Sequence, residues 1–241
     1  LQAVAKYRFG QSRQPLKDAE TAIHASAGKG ERAEMRKALA ELAGSASATI
    51  ESRQWAMRQL GVVGTADEVG VLAAGLGQAD LHFHARQALE ACPAPQAAGA
   101  LRAAMDRLKG RELAEVISSL AARGDGESLD KILSLIASDD AAVAQAATAA
   151  AGKLCQARPE ALLAAVKKAE LAGQASDSLL RVGDRLAGGG QAEQAAAIYQ
   201  ALLAAEARQV QSAALAGLLR TAGQSGRQAL ASWLASDSPD K

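Results

Sequence analysis

The sequence predicts an all-α fold, a right-handed α-solenoid of about six to seven antiparallel helix pairs. Three observations predict it. Alanine makes up about a quarter of the chain and asparagine is absent, a composition that favours helix. Aromatic residues are only 2% and β-branched residues are scarce, which excludes an all-β fold and argues against one large compact core. A small residue followed four places later by an apolar one recurs at a helical-repeat period.

The elements follow in chain order. Residues 1–29 read as an N-terminal segment and capping helix, in which Lys6, Arg8, Arg13 and Lys17 lie close together and are expected to be solvated. Residues 30–223 read as the repeat array. Its small positions are Ala56, Ala85, Val116, Ala147, Ser178 and Ala214, with valine in the small place once, and successive spacings are about 29, 31, 31, 31 and 36 residues. These mark the second helix, B, of each pair.

Before most copies lies a first helix, A, with its apolar face at helical spacing. The faces are Val69, Val71, Leu72 and Leu76; then Ala97, Ala100, Leu101, Ala104 and Leu108; then Leu129, Ile132, Leu133 and Ile136; then Leu162, Leu163 and Val166. Thr65-Ala66-Asp67-Glu68 reads as a helix cap with acids suited to the positive helix end. Pro93 and Pro95 end one B helix, Gly124-Asp125-Gly126 marks an A-helix boundary, and Asp139-Asp140 precedes another start. The small-residue helix around Ala144–Ala151 is expected inside the stack. Gly75-Leu76-Gly77 reads as a helix end rather than a nucleotide loop. Residues 224–241 read as a C-terminal capping helix and tail, with Trp233 over the last apolar layer.

The 27 basic and 26 acidic residues leave a net charge of +1, too little field to gather nucleic acid or an anionic membrane. No apolar run approaches the roughly 18 residues of a membrane span. The chain starts at Leu1 rather than Met, so a processed or trimmed piece of a larger parent is expected. Cys92 and Cys155 fall two structural units apart and are expected as buried free thiols.

Arg53, Ala56, Leu60 and Gly61, with Ala85 and Leu89, follow a basic–small–Leu–Gly order. Together with the turn Ser138-Asp139-Asp140-Ala141-Ala142-Val143, this resembles the short bacterial HEAT-repeat family over about residues 30–223. The chain departs from that pattern at the basic position, which reads His82, Leu113, Ala144, Ala175 and Gln211 in later copies, and at Leu89-Glu90. The resemblance implies an armadillo-like helical repeat scaffold that binds a protein on its concave face. The segment Tyr7–Leu16 is similar to the start of repeat modules in exported bacterial proteins. That likeness favours a periplasmic or exported location over a cytoplasmic one.

The expected function is a non-catalytic scaffold rather than an enzyme. No catalytic residue, cofactor or metal site is expected, and neither nucleic acid, membrane nor a small-molecule ligand. The partner-binding residues expected on the B helices are Arg53, Trp55, Arg58, His82 and Arg86, a tryptophan among cations being the composition of a binding hot spot. His82 and His84 point about 200° apart on a helix and do not suit one metal ion. Alternatives are an accessory domain of a larger exported, carbohydrate-processing enzyme, a bilin-lyase-type protein, and a HEAT-like DNA glycosylase, against which stand the low net charge and the lack of an aromatic close in sequence to Asp106, Asp125 or Asp184. Reversing the charge of Arg58 and Arg86 together is expected to abolish partner capture and leave the helical signal unchanged.

Overall fold

The computed structural model describes residues 3–155, Leu163, 173–205 and 207–235, and every regular element among them is helical. The chain divides into two compact units, Leu1–Arg123 and Gly124–Lys241.

The first unit holds α1 (Gln14–Ala25), α2 (Glu31–Gly44), α3 (Ile50–Val63), α4 (Val69–Gly75), α5 (Ala79–Ala91), α6 (Gln96–Ala104) and α7 (Gly110–Ala122). Each of α2, α4 and α6 packs on the helix that follows it. The second members of these pairs also lie side by side, α3 on α5 and α5 on α7, and the first members do the same, α2 on α4 and α4 on α6. In this unit the second helices thus neighbour one another, and so do the first helices.

In the second unit, α8 (Leu129–Ser134) packs on α9 (Ala141–Leu154), and α9 on α10 (Gly173–Gly188). There α11 (Ala192–Leu202) packs on both α10 and α12 (Arg208–Thr221), and α13 (Gly223–Ala235) on α12.

The six repeat positions fall on α3, α5, α7, α9, α10 and α12, and none is more than 3% exposed. The size rule at these positions follows from helix approach. A β-carbon added to Gly61 would stand 2.9 Å from the Ala88 Cα of the next B helix, so the Leu-Gly pair marks where α3 and α5 meet backbone to backbone. The A-helix faces are inward at Val69, Leu72 and Leu76, at Ala97, Leu101 and Ala104, and at Leu129, Ile132 and Ile136. Val71, Ala100, Leu108 and Leu133 are only half-buried. Of the fourth face, Leu162 and Val166 lie outside the described residues. Helix α9 differs from expectation: Ala141, Ala142, Gln145 and Ala149 are exposed, so only one of its faces is covered. Alanine hides this asymmetry, because both faces carry the same side chain.

The helix ends use the signals read from sequence. The Thr65 backbone N–H donates to Glu68 Oε2 at 2.7 Å, closing a capping box, and Asp140 Oδ1 accepts from the N–H groups of Ala142 and Val143 at 2.9 and 3.2 Å. Helix α4 ends at Gly75 and α5 at Ala91, just before Pro93. Cys92 and Cys155 are both buried free thiols.

Two arginines make contacts that motif reading missed. Arg123, at the end of α7, donates to the carbonyls of Leu89, Glu90, Cys92 and Ala94 at 2.7 to 3.2 Å, gathering the C-terminal carbonyls of α5. Arg185 on α10 does the same service for α9 through the Gly152 carbonyl at 2.9 Å. Each lies seven residues beyond a repeat position, Val116 and Ser178. A cation at a helix C-terminus meets both the unpaired carbonyls and the negative end of the dipole.

Candidate partner-binding surface

The five residues expected to form a binding face occupy different environments. Arg53 and His82 stand three residues before the repeat positions Ala56 and Ala85 on α3 and α5, and both turn back onto the helix before their own. Arg53 Nε donates to the Ala43 carbonyl at 2.9 Å, and His82 Nδ1 lies 2.8 Å from the Leu76 carbonyl. They tie each pair together. Arg53 also reaches Gln78 Oε1 at 3.0 Å, ahead of α5.

Trp55 is 1% exposed. Its indole N–H donates to Glu20 Oε1 on α1 at 2.8 Å, and Gln59 Nε2 reaches the same oxygen at 3.5 Å. The ring packs beneath the N-terminal helix, whose Leu16 and Ile23 are also buried. An indole buried to this degree, with its N–H already donating to Glu20, is fixed inside the unit and offers little surface to another molecule.

Arg86 is held in a polar cluster between α5 and α7, with its side chain 12% exposed. It donates to Ser119 Oγ at 2.8 Å and to Glu90 Oε2 at 3.2 Å, and its Nε stands 3.5 Å from Glu115 Oε2. Ser119 Oγ donates to Glu90 at 2.6 Å, and His82 Nε2 lies 3.7 Å from Glu115. The joint reversal of Arg58 and Arg86 is thus a poor probe of binding. A glutamate at 86 would stand beside Glu90 and Glu115 in a part-buried site and disturb the fold itself.

Arg58 is the exposed member of the set. Partial desolvation, and after it the nearby charge of Arg13, lower its pKa from the ordinary guanidinium value, while Glu20 and Tyr7 oppose the change. Burial, then Arg58, hold His84 below the usual imidazole range. Arg13, Arg58 and His84 therefore share one neighbourhood, contributed by the start of α1, by α3 and by α5. Beside it Phe83, 49% exposed, meets the His84 ring edge-on with centroids 5.2 Å apart, and the Arg86 guanidinium lies 5.6 Å from the Phe83 centroid.

Phe83, His84 and Arg13 are not among the residues expected on the binding face. The available signal was local: each of the chain's two phenylalanines is flanked by basic or histidine side chains, Arg8-Phe9 and His82-Phe83-His84. On α5 the exposed positions Asp80, Phe83, Gln87 and Ala91 follow helical spacing and make one stripe. Arg58 and Val62 do so on the adjacent α3.

In the second unit, Asp184 does not pair with Arg181 or Arg185, its neighbours in sequence. It accepts from the Tyr199 hydroxyl at 2.7 Å and from Arg220 at 2.8 Å. Burial first, and donation to Asp184 second, push the Tyr199 phenol up to about 12. It stays protonated through the neutral range and keeps donating. Trp233 is half-buried on α13, where its N–H donates to Gln211 Oε1 at 3.3 Å and Arg208 lies 5.4 Å from its ring centroid. Among the described residues, no helix is long and apolar enough to cross a membrane.

No protein-family model matches the chain, and no curated protein matches it significantly in sequence.

Proposed function

We propose that each unit is a stretch of HEAT-like α-solenoid and that the protein is a non-catalytic scaffold which binds a protein partner on its B-helix face. The observation that carries this reading is the arrangement of α3, α5 and α7. They lie side by side, each burying its repeat position and leaving a stripe of solvent-facing residues. A layer of this kind offers extended area, which suits a protein surface more than a small molecule. Arg58, with His84 on the next helix, is the centre of that area, and Phe83 stands exposed next to His84: an exposed guanidinium in a patch that includes an aromatic ring is the composition in which binding energy concentrates.

The test is capture by the immobilised full chain from extracts of its native cell, comparing wild type with Arg58→Glu. One stoichiometric protein retained by wild type and lost from the variant, with an unchanged helical circular dichroism spectrum, is the expected result. A partner profile indifferent to Arg58→Glu would remove this surface from the account.

A further inference from the structure

The first seventeen residues carry four cations, Lys6, Arg8, Arg13 and Lys17, and no acid, so the remainder of the chain has a net −3 against the overall +1. All four cations are exposed. Between Arg8 and Arg13 in the sequence stands Phe9, 90% exposed. A lone apolar side chain at a surface needs no explanation by itself. Here the backbone beneath it is built and anchored.

The Gln11 N–H donates to the Arg8 carbonyl at 3.1 Å, and the Arg8 N–H donates to Gln11 Oε1 at 2.9 Å. Gly10, third in this turn, has φ +90°, a conformation that favours glycine. The turn is fastened to the start of α3. The Tyr7 carbonyl accepts from the Thr49 hydroxyl, the Val4 carbonyl accepts from Ser52 Oγ at 2.5 Å, and the Phe9 N–H donates to Glu51 Oε1 at 3.4 Å. Val4 is buried alongside. Both faces of the closure are satisfied, yet the ring at its tip is left in water.

We propose that this turn, together with Arg58 on α3, the helix to which the turn is fastened, forms a docking site for an acidic peptide segment of a protein partner, with Phe9 meeting an apolar side chain of that segment and Arg8, Arg13 and Arg58 meeting its carboxylates. The proposal rests on the protein-binding reading above and names the partner's chemistry. Charge complementarity selects the occupant, since the cations are concentrated here and the rest of the chain is net acidic. Arg8, Arg13 and Arg58 carry planar guanidinium forks, which fit carboxylates two bonds at a time. A lipid surface would draw on charge alone, and one ring gives it little apolar area.

The probe is a short fluorescein-labelled peptide of Asp and Glu flanking one leucine, titrated by anisotropy against the full chain at physiological salt. Wild type should bind it. Arg13→Glu with Arg58→Glu should weaken binding by roughly tenfold or more, the equivalent of about 1.4 kcal/mol. Phe9→Ser should weaken binding of this peptide but not of its Leu→Ser counterpart, with thermal stability unchanged because the ring is exposed. No binding to wild type, binding indifferent to Phe9→Ser, or a preference for phosphatidylserine vesicles that the peptide does not displace would overturn the proposal. If the peptide fails while Arg58→Glu still loses its captured protein, only the acidic-peptide chemistry falls. If Arg58→Glu keeps that protein, the binding surface itself falls.

Discussion

Gly217→Ala is expected to destabilise the second unit by about 3 kcal/mol or more, at the upper end of what an added methyl costs in a packed core. A β-carbon there would run into Tyr199 Cζ and stand 2.5 Å from Cε1. The ring cannot retreat. Gly183 also approaches the ring so closely that a β-carbon there would be 2.8 Å from Tyr199 Cε1. Tyr199 on α11 is thus crowded by glycines of α10 and α12, is 0% exposed, and has its hydroxyl held by Asp184. Chemical denaturation of the full chain checks this. Tyr199→Leu, added to Gly217→Ala, should recover part of the loss, because the clash is with the ring. A Gly217→Ala variant as stable as wild type would mean that the two helices stand further apart than described.

Leu120→Asp should unfold the first unit. Leu120 is 0% exposed on α7, which packs on α5 and α6. The substitution removes a buried aliphatic side chain and leaves a carboxylate in its place, at a cost of about 4 kcal/mol or more. Such a loss is a large fraction of the stability of a small domain. Ser118→Asp, on the same helix at an exposed position, is the control and should change the melting temperature little. Thermal melts by circular dichroism separate the two. A well-folded Leu120→Asp protein would mean that the phase assigned to α7 is wrong.

The fold was legible where one residue type has one physical reason to be in place. The repeat positions Ala56 through Ala214 announce helix contacts because a small side chain is what a close approach tolerates. Thr65, Asp140 and Pro93 announce helix ends because only a few residue types satisfy or forbid those backbone groups. Legibility failed where composition carried no contrast. On α9, alanines line both the buried and the exposed face, so burial could not be read from them.

Of the five residues expected on a binding face, Arg58 alone is solvent-exposed. Trp55 and Arg86 have hot-spot composition, but their partners, Glu20 and Ser119, are 35 and 33 residues away in sequence. Whether an aromatic or an arginine faces solvent depends on such distant groups, and one helix's pattern does not contain them. Phe9 is the opposite case. Its sequence surroundings suggested a solvated terminal segment, whereas its exposure follows from a turn closed by Gln11 and fastened by Thr49 and Ser52. Arg123 and Arg185 were missed for the same reason, because their carbonyl partners belong to the preceding B helix.

The central claim is that a protein partner sits on the layer formed by α3 and α5. Site-directed photocrosslinking tests it most directly. A benzophenone side chain is placed at Gln87 on α5 or Val62 on α3, and for comparison at Ala74 on α4 or Ala103 on α6, all exposed positions. The account predicts that one protein crosslinks from Gln87 and Val62, and that Arg58→Glu removes that adduct. Crosslinking of that protein from Ala74 and Ala103 instead would place the partner on the A-helix layer and contradict the account.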